Sequence, residues 1–125
     1  MRYACTVITH ESLALDTSDP QVVRVNYVQL DDGIDMGGKL VFDRANLGYV
    51  IKEVQAASGY TYEKTEAQVG PDHFRIYQSG SDQQPIVNVL VRREKSLPHG
   101  GLTGVMMTIP YAKKLVELLT GIEGN

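Results

Sequence analysis

The residues best equipped for chemistry in this chain are three histidines, His10, His73 and His99, one cysteine, Cys5, and the acidic run Asp31-Asp32-Gly33-Ile34-Asp35. A metal centre needs three or four converging ligands, commonly announced by close spacing. The histidines are far apart and none has a ligand-spaced neighbour, so they read as turn or surface residues. The acidic run lacks the alternating Asp-x-Asp-x-Asp-Gly order and the terminal Glu of a calcium loop. Asp-Gly between two strands is instead a hairpin turn. Pro98-His99-Gly100-Gly101 has the glycine content of a hydrolase oxyanion loop, but no Gly-x-Ser-x-Gly nucleophile turn accompanies it. It reads as a flexible connection in which glycine supplies a positive φ. No P-loop or dinucleotide fingerprint occurs. A lone cysteine cannot close an intrachain disulfide and reads as a small buried hydrophobe. No catalytic set converges, so the expected protein is a non-enzymatic binding module with neither metal nor cofactor.

Binding chemistry has more to work with. Arg92-Arg93-Glu94-Lys95 is the one basic cluster, and on a strand Arg92 and Arg93 face opposite sides, so only one of them joins a given patch. Such a cluster reads first as a solvated strand end that blocks edge pairing, with phosphate binding as the alternative. On the last helix, Lys113 is expected to pair with Glu117 at i,i+4. Seven tyrosines and no tryptophan supply amphipathic rings suited to base stacking, protein contacts or the rim of a core.

The whole chain of 125 residues carries a net charge of -3, with 12 Lys/Arg against 15 Asp/Glu. All of the excess acid lies in residues 1–60; residues 61–125 are balanced. No overall field attracts phosphate, so nucleic-acid binding would require a local basic patch. At 42% hydrophobic residues the chain can fill one core. No apolar run approaches the roughly 20 residues that cross a bilayer, and the first residues alternate like a strand rather than a signal peptide. A cytoplasmic protein without membrane contact is expected.

Two amphipathic helices organise the chain. Asp43 is an N-cap, Phe42 before it staples onto Leu47, and Leu47, Val50, Ile51 and Val54 line one face, with Gly59 as the stop. Thr108 caps the second, Pro110 sits in its first turn, Ala112, Leu115, Val116 and Leu119 line its face, and Gly121 stops it. Both place core residues at the same offsets from the cap, and both follow a short strand and a double glycine, Gly37-Gly38 and Gly100-Gly101. Upstream, Val23 to Leu30 matches Val87 to Glu94, and Tyr3 to Thr9 matches Phe74 to Gln78. The polar segment Tyr60 to Val69 reads as an exposed edge strand. The expected fold is therefore α+β: two tandem strand-strand-strand(-strand)-helix repeats, about 1–60 and 61–125, forming one curved antiparallel-sheet domain with two helices.

In the second half, Phe74-Arg75-Ile76-Tyr77, then Pro85 to Glu94, a Pro/Gly loop, and Thr103 to Pro110 entering a helix follow an order that resembles the single-stranded-DNA-binding transcriptional coactivator, Whirly and Pur-like superfamily. The resemblance covers residues 74–120 best and 3–57 more loosely. It implies bases stacked on aromatics and phosphates held by basic side chains on a sheet face. The positions it marks are Arg75, Tyr77, Asn88 and Arg92, with Arg24, Asn26 and Tyr27 in the first half. The alternative is a small acidic immunity- or inhibitor-type protein that covers a basic protein partner, since opposite charge steers association. Exposed strand edges also make a homodimer an expected assembly.

Overall fold

A computed structural model describes residues 7–10, 13–31, 34–59, 64–81, 83–97 and 99–123. Four strands and a helix follow one another twice: β1 Val7–His10, β2 Leu13–Asp16, β3 Val22–Asp31, β4 Ile34–Asp43 and α1 Leu47–Ala57, then β5 Thr65–Val69, β6 Asp72–Gly80, β7 Pro85–Arg93, β8 Gly101–Thr108 and α2 Ile109–Glu123. The strands form one antiparallel sheet in the order β1-β2-β3-β4-β8-β7-β6-β5. The architecture is α+β, with a single sheet and two helices. No helix among the described residues is long and apolar enough to cross a membrane.

Alternation decides which face each strand buries. Leu13 and Leu15, Val23, Val25 and Tyr27, Leu40 and Phe42, Phe74 and Ile76, Val87, Val89 and Val91, and Val105 and Met107 point to one side and are essentially inaccessible to solvent. Both helices lie on that side. Leu47, Val50 and Val54 of α1 and Ala112, Leu115 and Leu119 of α2 are buried against the sheet, while Ile51 and Val116 pack at its margin. Among the described residues, no helix lies on the other side of the sheet.

The helix ends show the local chemistry at work. Asp43 Oδ1 accepts from the Ala45 amide at 2.9 Å, opening a 3-10 turn, Arg44–Asn46, that feeds α1. At the far end Ser58 is the C-cap, and Gln78 Nε2, reaching from β6, donates to the carbonyls of Ala57 and Gly59 at 2.8 Å each. Gly121 does not stop α2, which runs on to Glu123 because Ile122 still has core to bury. The expected Lys113–Glu117 pair is replaced by Lys114–Glu117 at i,i+3, 3.5 Å apart. Gly37-Gly38 does not precede a strand but lies inside β4, which begins at Ile34. The strand from Tyr3 is described only as Val7–His10, and the edge strand from Tyr60 only as Thr65–Val69; Cys5, the Asp32-Gly33 turn and residues 60–63 lie outside the described residues. β2 is an additional strand that the sequence reading did not include.

The two halves of the sheet meet at a short seam. Only Gly37, Gly38 and Lys39 of β4 pair with Met106, Val105 and Gly104 of β8. Beyond it the Val41 amide donates to Thr103 Oγ1 at 3.1 Å, a side chain standing where a backbone carbonyl would continue the ladder. A second tie lies at the end of the sheet. The buried Asp72 carboxylate accepts from Arg93 Nη1 at 2.5 Å, from the Asp43 amide at 2.7 Å and from Asn46 Nδ2 at 2.8 Å. One carboxylate thus fastens β6 and β7 to the β4–α1 junction.

Among the described residues, the Tyr49 hydroxyl is one of three buried side-chain atoms without a hydrogen-bond partner. The Tyr49 ring packs on Phe74 with centroids 5.0 Å apart, yet its hydroxyl is buried with no hydrogen bond. Burial, with the Glu53 charge second, pushes the phenol above its ordinary range. An unpaired buried hydroxyl costs about 1–3 kcal/mol. Tyr49→Phe should therefore leave stability unchanged or raise it by up to about 1 kcal/mol in urea unfolding. A loss above about 1 kcal/mol would show that the hydroxyl has a partner.

Candidate functional site

The helix-free face of the sheet collects most of the residues singled out in the sequence. Arg75 and Tyr77 alternate with the buried Phe74 and Ile76 on β6, and Arg92 alternates with the buried Val91 and Arg93 on β7. Register places them together: Arg75 lies opposite Leu90, Tyr77 opposite Asn88, and Arg92 opposite His73 and Leu102. The Arg75 guanidinium lies 5.4 Å from the Tyr77 ring centroid, within range of a cation–π contact.

The first half contributes unequally. Asn26 is exposed on the same face, opposite Lys39. Arg24 is half-buried there, 3.8 Å from Asp16 and within 3.1 Å of both ring nitrogens of His99. Tyr27 does not belong to the face. The period of β3 puts it with Val23 and Val25 in the core, fully buried, with its ring centroid 5.0 Å from that of Tyr111 on α2. Asn88 is on the correct face but is only 3% exposed, and its amide donates to Ser79 Oγ at 2.8 Å, with the carbonyls of Ile86 and Tyr77 at 3.3 and 3.4 Å. Its hydrogen-bonding capacity serves the β6–β7 hairpin.

Three residues missed in the sequence stand on this face. Lys39 is exposed on β4 and occupies one row with Gly104, Leu90 and Arg75. At a strand spacing of about 4.8 Å, Lys39 and Arg75 are about 14 Å apart across the sheet. Leu102 and Met106 of β8 are 69% and 43% exposed, the two large hydrophobics most open to solvent among the described residues. The strand alternation of β8 was the available signal, since Val105 and Met107 had already claimed the core side.

The charges on the face are distinct from those of the chain. Asp16 is paired with Arg24, and Glu66 with His73 at 2.9 Å. The hydrogen bond from His73 holds the Glu66 carboxyl below its usual range, and the Ser18 hydroxyl and amide do the same for Asp16. These carboxylates therefore remain ionised at neutral pH, each already engaged. Lys39, Arg75 and Arg92 have no carboxylate within 4.0 Å among the described residues. A chain of net charge -3 thus presents three cations outside any close ion pair among the described residues, one tyrosine and two exposed apolar side chains on a single open surface, with Glu66 opposite Arg75 as the nearest acid across β5–β6.

A separate cleft lies between the end of α1 and the start of α2, lined by Ser58, Gln78, Gln84, Pro85, Ile109 and Lys113 among others. It contains none of the candidate binding residues named from the sequence. No protein-family model, no curated protein and no solved structure matches the chain.

Proposed function

We propose that the open face of the sheet binds single-stranded nucleic acid and that the protein is a non-enzymatic binding module. The observation that carries this reading is the shared placement of Lys39, Arg75, Tyr77 and Arg92 on a sheet surface that no helix covers. Cations spaced across strands suit a phosphate backbone, and Tyr77 with Leu102 and Met106 offers flat or apolar surface to unpaired bases. The finer architectural reading belongs with this function: residues 1–60 and 61–125 as tandem repeats that build one curved binding sheet, supported by the twofold recurrence of four strands and a helix.

Three phosphate contacts predict weak, salt-sensitive binding, with a log–log slope of about -2 for a single strand. Titration of labelled oligo-dT and its RNA equivalent at low salt tests this. Tyr77→Ala should cost about 1–3 kcal/mol of binding if a base stacks on its ring. Lys39→Ala, Arg75→Ala and Arg92→Ala should weaken all sequences alike and each flatten the slope by about 0.7. None should unfold the chain, because all are on the open side. Absence of binding at tens of micromolar protein would transfer the face to a protein partner, the reading that the exposure of Leu102 and Met106 also serves.

A further inference from the structure

Three apolar side chains form one strip on the open face, and cations border it on both sides. Leu102 and Met106 of β8 stand four residues apart on the same side of the strand, about 13 Å at the rise of an extended chain. Gly104 lies midway between them. A Cβ on Gly104 would lie 2.4 Å from Leu90 Cδ2, so the half-buried Leu90 of β7 leans over the glycine and fills the room a side chain would take. Leu102 and Met106, both exposed, therefore stand as two apolar walls with a lower apolar floor between them. Register sets the charges. Lys39 lies opposite Gly104 on the β4 side, while Arg92 and Arg75 lie opposite Leu102 and Leu90 on the other. Glu66, the nearest acid, lies beyond Arg75 on β5. Asn88, opposite Met106, is buried with its amide N–H groups bonded inside the β6–β7 hairpin. The strip thus offers apolar contact rather than hydrogen bonds.

We infer that Leu102 and Met106 clasp two stacked neighbouring bases of a single strand between them, with the phosphate that joins the two on Lys39. The inference rests on the nucleic-acid reading of this face and gives it a seat. Two bases stacked at about 3.4 Å, with an apolar side chain against each outer face, require about 11 Å, and three require about 14 Å. The spacing of the two walls, less the width of their side chains, admits two. Aliphatic and thioether side chains pack against base faces wherever bases leave the duplex stack. Leu90 occupies the β7 side of the strip, so the sugar–phosphate backbone passes on the β4 side. Lys39 stands there level with Gly104, the midpoint of the clasp, where the joining phosphate falls. A bare apolar strip would suit any hydrophobic partner; cations along both borders select one that carries negative charge beside its apolar rings.

The test is a double-substitution cycle on the full chain, read as affinity for oligo-dT at low salt. Leu102→Ala and Met106→Ala should each weaken binding by at least about fivefold. Both side chains are exposed, so neither substitution should alter the circular dichroism spectrum or the urea midpoint. One clasped stack depends on both walls. The double variant should therefore bind about as weakly as the weaker single variant, well short of the product of the two losses. Losses that multiply would assign the two residues to separate bases and overturn the clasp. Unchanged affinity in all three variants, beside a loss in Tyr77→Ala and Arg75→Ala, would overturn it and leave the nucleic-acid reading standing. No binding by the unsubstituted chain overturns both. Sedimentation of the free chain addresses the other occupant of such a strip. A dimer that the double variant reduces to monomer, with affinity for oligo-dT kept, would assign the strip to a second copy and overturn the inference.

Discussion

Asp72→Ala is expected to lower the unfolding free energy by about 3–5 kcal/mol, the cost of stranding one charge of a buried pair. Asp72 is fully buried and Arg93 is 7% exposed, so water cannot replace the lost carboxylate. The substitution also removes the acceptor of the Asp43 amide and of Asn46 Nδ2. Arg93 Nε is already buried without a hydrogen bond, and among the described residues Asp72 is the acceptor the guanidinium has. A domain of this kind is stable by only about 5–15 kcal/mol, so the loss should be plain in urea unfolding followed by circular dichroism. The double substitution Asp72→Leu with Arg93→Met should recover part of it, because a hydrophobic replacement removes the stranded charge while the Asp43 amide stays unpaired. A loss below about 1 kcal/mol for Asp72→Ala would mean that solvent reaches the pair.

Gly38→Ala is expected to cost at least about 3 kcal/mol, because strain and a backbone clash coincide at one residue. Gly38 has φ of +129°, and a Cβ there would lie 2.1 Å from the Gly104 carbonyl oxygen. Neither strand can yield without opening the three-pair seam between β4 and β8. Gly121→Ala is the matched control. It is in α2, a Cβ there meets nothing within 4 Å, and the helix gains about 0.5–1 kcal/mol from alanine. Equal melting temperatures for the two variants would remove the seam from its place in the fold.

Seven of the eight strands were legible at least in part, because their apolar residues alternate or run between turn signals. β2 was not, since Leu13-Ala14-Leu15-Asp16 spans two periods of alternation and no more. Three of the four residues named for each helical stripe are buried, with Ile51 and Val116 at the margin and Ala57 and Ile122 unforeseen; the stop at Gly121 was not readable, since Ile122 beyond it still enters the core. Among the candidate site residues, Tyr27 was legible as core from the start. It shares the period of Val23 and Val25, and grouping it with Arg24 and Asn26 set the character of the residue above its position. Lys39 was hidden for the opposite reason. It joins Arg75 in one row only through β8, and that juxtaposition depends on a pairing between strands far apart in sequence. The contact of His99 with Arg24 was illegible for the same reason.

The seam also carries an expectation about the order in which this molecule folds. Among the described residues, six of the seven ladders join strands that are neighbours along the chain, and β4 with β8 is the exception. Local contacts form early and fast, whereas non-local ones wait on the closure of a long loop, here the stretch from Gly38 to Val105. Each meander can gather its own strands, but the row that runs from Lys39 to Arg75 exists only after that closure. The row that joins Lys39 to Arg75 is therefore expected to be completed last, onto a second meander that already carries Arg75, Tyr77, Arg92, Leu102 and Met106.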